Sequence, residues 1–112
     1  MPRTIILHFR NSSKGGTRQE ISADEFTNIT IGRDPKCDVV FDPERDEQVS
    51  RAHTKICLRD DNFWIGDLGS RNGTYVNTQR VSGRVKLIPG DIIRLGQDGP
   101  EFEFEVDSFP RP

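Results

Sequence analysis

Apolar and polar residues alternate in short segments along this 112-residue chain, and Gly, Pro, Asn and Asp separate the segments. The clearest example is residues 101–106, where phenylalanine and valine alternate with glutamate. Because successive side chains of a β-strand point to opposite faces, a period of two predicts strands with one buried face. No segment shows a sustained period of 3.6 residues, so we expect few helices or none.

The same pattern predicts ten short strands, at residues 4–10, 18–22, 28–31, 37–41, 53–59, 62–67, 74–76, 85–88, 92–95 and 101–106. Turn residues lie between them, including Gly15-Gly16, Asp60-Asp61, a turn at 77–79 and Pro89-Gly90-Asp91. Short strands separated by turn signals at this spacing favour an all-β sandwich or barrel.

Length, charge and hydropathy limit the classes of protein that fit. A chain of 112 residues suits one domain. A net charge of −2 lacks the basic excess expected of a protein that binds nucleic acid or an anionic membrane. No apolar run approaches the roughly 20 residues needed to cross a bilayer, and no signal peptide is visible. We therefore expect a soluble, cytoplasmic protein with no membrane insertion.

The chain is predicted to form one domain over residues 1–107, followed by a linker-like tail at 108–112. This Pro-rich tail suggests one module of a longer protein with other domains. Cys37 and Cys57 are the only cysteines, too few for a disulfide framework, and no Cys/His spacing matches a zinc site. We expect no metal and no cofactor.

Polar side chains suited to ligand binding are concentrated where predicted strands end. They occur at residues 32–34, 49–53 and 67–74, and at Asn77. These segments offer three arginines, hydroxyls and carboxamides, with glycines that allow the backbone to approach a ligand closely. Such donors form an anion site, and planar guanidinium groups match the oxygens of a phosphate monoester.

The order and spacing of these residues resemble the signature of forkhead-associated (FHA) domains. The matching residues are Gly32-Arg33, Ser50-Arg51-x-His53, Asn72-Gly73, Asn77 and Pro89-Gly90-Asp91. A single Gly-Arg or Asn-Gly would carry little weight, but the ordered set is specific and covers residues 5–106. The resemblance implies an eleven-stranded β-sandwich of the FHA/SMAD-like type, with phosphopeptide-binding loops at one end.

The resemblance also implies which residues meet the phosphate. Arg33 would contact the phosphate or the adjacent peptide backbone, and Ser50 would donate its hydroxyl to a phosphate oxygen. Arg51 would supply positive charge, although pairing with the acidic residues of 42–47 is an alternative. Arg71 would add a phosphate contact or face solvent.

The remaining signature residues would position the peptide or the loops. Asn72 would hold the peptide backbone beside the phosphothreonine, and Asn77 would support the loop or meet the peptide. Gly32, His53 and Gly73 would be structural supports of the site, with His53 bracing the loop that carries Ser50.

The predicted function is phosphothreonine-dependent binding of proteins and peptides in serine/threonine-kinase signalling. The predicted partners are threonine-phosphorylated proteins, including a serine/threonine kinase or its substrates. An FHA-fold interaction domain that acts independently of phosphate is the alternative. An enzyme is not expected, because Ser50 and His53 enter one strand three residues apart with no identifiable carboxylate to orient them.

Overall fold

Eleven β-strands make up the structure, a computed structural model that describes residues 3–11 and 14–107. The strands are β1 (Arg3–Phe9), β2 (Arg18–Ala23), β3 (Asn28–Gly32), β4 (Val39–Val40), β5 (Thr54–Arg59), β6 (Asn62–Asp67), β7 (Thr74–Val76), β8 (Gln79–Arg80), β9 (Arg84–Leu87), β10 (Ile92–Leu95) and β11 (Glu101–Asp107). Within these ranges the chain forms no helix, and so none that is long and apolar enough to span a membrane.

Two sheets contain all eleven strands. The six-stranded sheet has the order β2-β1-β11-β10-β7-β8, and the five-stranded sheet has the order β4-β3-β5-β6-β9. Neighbouring strands are antiparallel except β3 and β4, which are parallel. The predicted all-β sandwich is therefore confirmed.

The core lies between the inward faces of the two sheets. Phe63 of β6 meets Phe104 of β11 with ring centroids 5.4 Å apart, and Phe9 meets Phe41 at 5.7 Å. The alternation of apolar and polar residues places the apolar side chains in this core. In β1, for example, every second residue from Ile5 onward is buried. Burial of such a side chain contributes about 1.5–3 kcal/mol, which fixes the strands and hence the loops at their ends.

The strand limits were predicted well where the alternation is regular. Strands β6, β7 and β10 agree with the prediction to the residue. The strand predicted at 37–41 exists but is too long, because only Val39–Val40 pairs with β3 and the N–H of Cys37 donates to Asp34 O at 2.9 Å in a turn. The predicted turn at 77–79 is too long, because β8 already begins at Gln79.

The predicted tail at 108–112 lies outside the described residues, as do residues 1–2 and 12–13. The domain limit at residue 107 stays a prediction.

Candidate functional site

Three loops meet at one end of the sandwich and are joined by hydrogen bonds. They are the β3–β4 loop (33–38), the β4–β5 loop (41–53) and the β6–β7 loop (68–73). The backbone N–H groups of Arg33 and Asp34 donate to Ser50 O and Arg51 O, each at 3.0 Å. The N–H of Arg71 donates to Ser50 Oγ at 3.0 Å. We call this end of the molecule the loop notch.

The contact between the first two loops requires glycine at position 32. A Cβ atom on Gly32 would lie 2.1 Å from the backbone oxygen of Arg51, far inside any allowed contact. Gly32 also accepts a hydrogen bond from the N–H of Phe41 at 2.8 Å. The glycine therefore allows the strand end that carries Arg33 to lie against the loop that carries Ser50.

Arg33 is half-buried, and two backbone carbonyls orient its guanidinium. Its Nε donates in a short hydrogen bond to Val49 O, and its Nη1 donates to Pro43 O at 3.3 Å. Within the described part of the chain, Nη2 has no partner. An oriented guanidinium with free N–H groups suits an anion, because less side-chain freedom is lost on binding.

Ser50 lies beside Arg33 and is also half-buried. Its hydroxyl oxygen accepts the N–H of Arg71 at 3.0 Å. A hydroxyl has one proton and two lone pairs, so this bond leaves the proton free to be donated to a ligand.

Arg51 pairs with Asp34 instead of with residues 42–47. The Nη2–Oδ2 distance is 3.3 Å, and the Arg51 side chain is 75% exposed. The backbone N–H of Lys36 and then the side chain of Arg51 hold the pKa of Asp34 below its ordinary value. An exposed pair of this kind is weak, so Arg51 can turn to another anion at little cost. Arg71 is exposed as well.

Asn72 joins the β6–β7 loop to the β4–β5 loop. Its Nδ2 donates to Gln48 O at 2.9 Å. In the described residues its Oδ1 has no partner, which leaves an acceptor for the N–H of a bound peptide.

His53 is fully buried and bridges two loops. The N–H of Ser50 donates to its Nδ1 at 3.0 Å, so Nε2 carries the proton and donates to Gly73 O at 2.8 Å. Burial lowers the pKa of His53, and this effect outweighs the opposing hydrogen bond to Gly73, so the ring is neutral.

The backbone conformation of Gly73 places its own carbonyl oxygen within reach of His53 Nε2. Its φ of 83° lies in the region that favours glycine, and its oxygen also accepts the N–H of Gly96 at 2.8 Å.

Asp67 organises the β6–β7 loop, a role that was not predicted from the sequence. Its carboxylate accepts the backbone N–H groups of Gly69 and Ser70 at 2.9 and 2.8 Å, and the hydroxyls of Ser70 and Thr74 at 2.5 and 2.7 Å. Burial raises the pKa of Asp67, but the hydroxyls and the Ser70 N–H outweigh burial and hold that pKa below its ordinary value. An Asp two residues before Gly is a turn signal that could have indicated this role.

Asn77 is not brought into the loop notch. Gly73 precedes β7, whereas Asn77 follows it, at the other end of the strand. The Nδ2 of Asn77 donates to Asp91 Oδ1 at 2.8 Å, and its Oδ1 accepts the N–H of Ile92 at 3.0 Å. Both ends of its carboxamide therefore connect the β7–β8 turn to the turn before β10.

The loop notch offers donors for an anion, and His53 is not free to act as a base toward the Ser50 hydroxyl. Both ring nitrogens of His53 are occupied, by the Ser50 N–H and by Gly73 O. Across residues 3–11 and 14–107, no group of three or more His, Cys, Asp or Glu residues could hold a metal ion.

A β-sandwich with arginine, hydroxyl and carboxamide groups on converging loops at one end has the features of a phosphopeptide-binding module. The family model for the FHA domain matches residues 29–96, and the chain belongs to the FHA domain family. The predicted family is therefore confirmed.

Relatives with similar sequence have names that describe regulators. The glycogen accumulation regulator GarA of Mycobacterium tuberculosis is 41% identical over 96 residues, which are 86% of this chain and 55% of that protein. The oxoglutarate dehydrogenase inhibitor of Corynebacterium diphtheriae is 40% identical over 68 residues, 61% of this chain and 45% of that protein. This chain thus spans about half the length of these curated relatives.

Solved structures agree with the family. A domain solved in work on phosphothreonine-dependent FHA domain interactions has a TM-score of 0.74 and 29% identity, and covers 96% of this chain and 99% of its own.

Proposed function

We propose that this chain binds threonine-phosphorylated proteins by holding the phosphate in the loop notch. Ser50 donates its hydroxyl to one phosphate oxygen, and Arg33 donates through Nη2 to another. Arg51 and Arg71, both exposed at the rim, add positive charge. The observation that supports this best is the Ser50 hydroxyl, which already accepts a backbone N–H and so has its proton left for the ligand.

Asn72 would hold the peptide on either side of the phosphothreonine. Its Nδ2 is bonded to Gln48 O, which orients the carboxamide and leaves Oδ1 as an acceptor. A peptide in extended conformation presents a backbone N–H to such an acceptor. Asn72 would therefore recognise peptide and not phosphate, and inorganic phosphate alone would bind more weakly than a phosphopeptide.

The hydrogen bonds of such a site can account for micromolar binding of a phosphopeptide. A hydrogen bond to a charged group contributes about 1.5–3 kcal/mol. Two or three of them, with a few peptide contacts, approach the roughly 8 kcal/mol of a micromolar complex.

The chain would act by binding and not by catalysis, since both ring nitrogens of His53 are occupied and cannot take a proton from the Ser50 hydroxyl. We propose a cytoplasmic regulator in serine/threonine-kinase signalling. Its partners would be a kinase or the substrates of that kinase, because kinases are the enzymes that place a phosphate on threonine. The names of its relatives, a regulator and an inhibitor, fit a regulatory role.

A phosphothreonine-oriented peptide library, followed by calorimetry on the best binder, tests the proposal. The same peptide is measured before and after phosphatase treatment, and inorganic phosphate serves as a further control. We expect binding that is lost on dephosphorylation. Binding that survives dephosphorylation would favour the phosphate-independent interaction domain, and a library without any binder would refute the proposal.

A further inference from the structure

Strand β9 has one edge that no other strand covers. Among the described residues it is the last strand of the five-stranded sheet and pairs only with β6. In an antiparallel sheet, alternate residues turn their N–H and C=O groups away from the neighbour. In the part of the chain that the structure describes, these groups of β9 have no strand partner, so the edge can accept one further strand.

The side chains that β9 points outward are cations without acidic partners. Arg84 and Lys86 are exposed, and neither forms a salt bridge within residues 3–11 and 14–107. The guanidinium of Arg84 lies over the Trp64 ring, 5.0 Å from its centroid. Lys55, at an outward position of β5 on the same sheet face, is also exposed, and it forms no salt bridge with any other described residue.

The outer face of the six-stranded sheet is different. There three arginines have a glutamate within salt-bridge distance: Arg10 with Glu103, Arg18 with Glu20 and Arg94 with Glu101. Arg80 of β8, which lines the cleft between β9 and β8, has no salt bridge among the described residues. Although the net charge of the chain is −2, Arg84 and Lys86 therefore form a positive strip along β9 that no acidic side chain neutralises among the described residues.

A cleft lies beside this strip, between β9 and β8, the last strands of the two sheets. Its volume is about 470 Å³. Val76, Val85 and Ile88 form the apolar part of its lining, and Ile88 is 56% exposed. Asn77, Gln79 and the cations Arg80 and Lys86 form much of the polar part. Asp91 also lines the cleft, but its carboxylate is bonded to Asn77 and to the N–H of Ile88, so it does not oppose an anion at the rim.

We propose that β9 binds an extended acidic segment of a partner protein by strand addition. Acidic side chains of the segment would lie beside Arg84 and Lys86, and the alternate apolar side chains would enter the cleft over Val85 and Ile88. This pattern complements β9 itself, in which Arg84 and Lys86 alternate with Val85 and Leu87.

Two other occupants fit less well. A second copy of β9 would bring like charges together, which is how edge cations prevent self-pairing. A nucleic acid would need exposed aromatic rings for its bases, but Arg84 lies over the Trp64 ring. The proposed segment does not involve the loop notch, so it does not depend on the proposed phosphate site.

The test uses a short peptide in which glutamate alternates with valine, and a twin with lysine in place of glutamate. NMR shifts and amide exchange locate binding on the protein. A second twin carries N-methyl groups on the residues that face β9, which keeps its charge but removes its hydrogen bonds. Lys86→Glu is compared with Arg18→Glu, which makes the same charge change on β2, an end strand of the other sheet.

We expect the glutamate peptide to shift and protect the amides of Arg84–Leu87. Lys86→Glu should weaken binding at least about tenfold, whereas Arg18→Glu should leave it nearly unchanged. The lysine and N-methyl twins should not bind. Equal binding of either twin, protection at the loop notch instead of β9, or no binding of the glutamate peptide would overturn the proposal.

Discussion

The hydroxyl oxygen of Ser50 accepts a hydrogen bond from the backbone N–H of Arg71, with 3.0 Å between the two atoms. This bond joins the β4–β5 loop to the β6–β7 loop and determines which way the Ser50 proton can be donated. Together with the oriented guanidinium of Arg33, it supports the proposal that the loop notch is a preformed site for an anion.

The geometry of Arg33 predicts that lysine cannot replace it. Its Nε and Nη1 bind two carbonyls while Nη2 remains free, and an ammonium group has no such fork. We expect Arg33→Lys to weaken phosphopeptide binding by at least about 1.5 kcal/mol, measured by calorimetry. Arg18→Lys is the matched control, and an Arg33→Lys variant that binds like the unmodified protein would show that charge alone suffices.

Gly32 should not tolerate a Cβ atom. The new atom would meet the backbone oxygen of Arg51 at 2.1 Å, so Gly32→Ala must separate two loops and should destabilise the fold by more than about 2 kcal/mol. Gly66→Ala is the control, because its Cβ would meet only Gly83 O at 3.7 Å. Denaturant unfolding of both variants measures the difference, and equal stability would contradict the close contact.

His53 should make stability depend on pH. Its pKa in the fold is below the ordinary 6.5, so the unfolded chain takes up a proton first as the pH falls. The stabilisation is complete above pH 6.5 and is lost as the pH falls toward the lowered pKa of the folded state. Denaturant unfolding across this range measures the loss.

NMR titration of the His53 ring checks the same point without a substitution. A ring that titrates at or above its ordinary pKa would contradict this account. His8→Gln is the control. This variant should still lose stability as the pH falls, because it retains His53.

Asp67 should be needed as a carboxylate. Asparagine would place an N–H₂ group among donors, so Asp67→Asn should cost at least about 1.5 kcal/mol of unfolding free energy. Because the pKa of Asp67 is lowered, its stabilisation should also disappear as the pH falls through that lowered pKa. Asp98→Asn, at an exposed position, is the control for denaturant unfolding. Equal losses in the two variants would contradict the role given to Asp67.

The fold could be predicted because alternation specifies which face of each strand is buried. Strand β6 was correct to the residue, since Phe63 and Ile65 alternate with polar or outward residues. Strand β8 was missed because its two residues are both exposed and carry no alternation. The turn before it has positive φ at Asn77 and Thr78, without the glycine that usually marks such a hairpin.

The site could be predicted in part. Arg33, Ser50 and Asn72 were identifiable as candidates because their residue types and spacing match a known signature, and the structure brings them together in the loop notch. Their contact with a phosphopeptide stays a prediction. The pairing of Arg51 with Asp34 could not be predicted, because the two residues are brought together by loop geometry that no local sequence pattern encodes. The role of Asp67 depends on four hydrogen bonds that form only when the loop folds around it.

The most direct test of the phosphate site is calorimetric titration of Ser50→Ala with a phosphothreonine peptide that binds the unmodified protein. Ser82→Ala, an exposed serine between β8 and β9, is the matched control. We predict that Ser50→Ala weakens binding at least about tenfold with little change in melting temperature, and that Ser82→Ala binds normally. Unchanged affinity of Ser50→Ala, in a variant that is folded, would contradict a phosphate held by the loop notch.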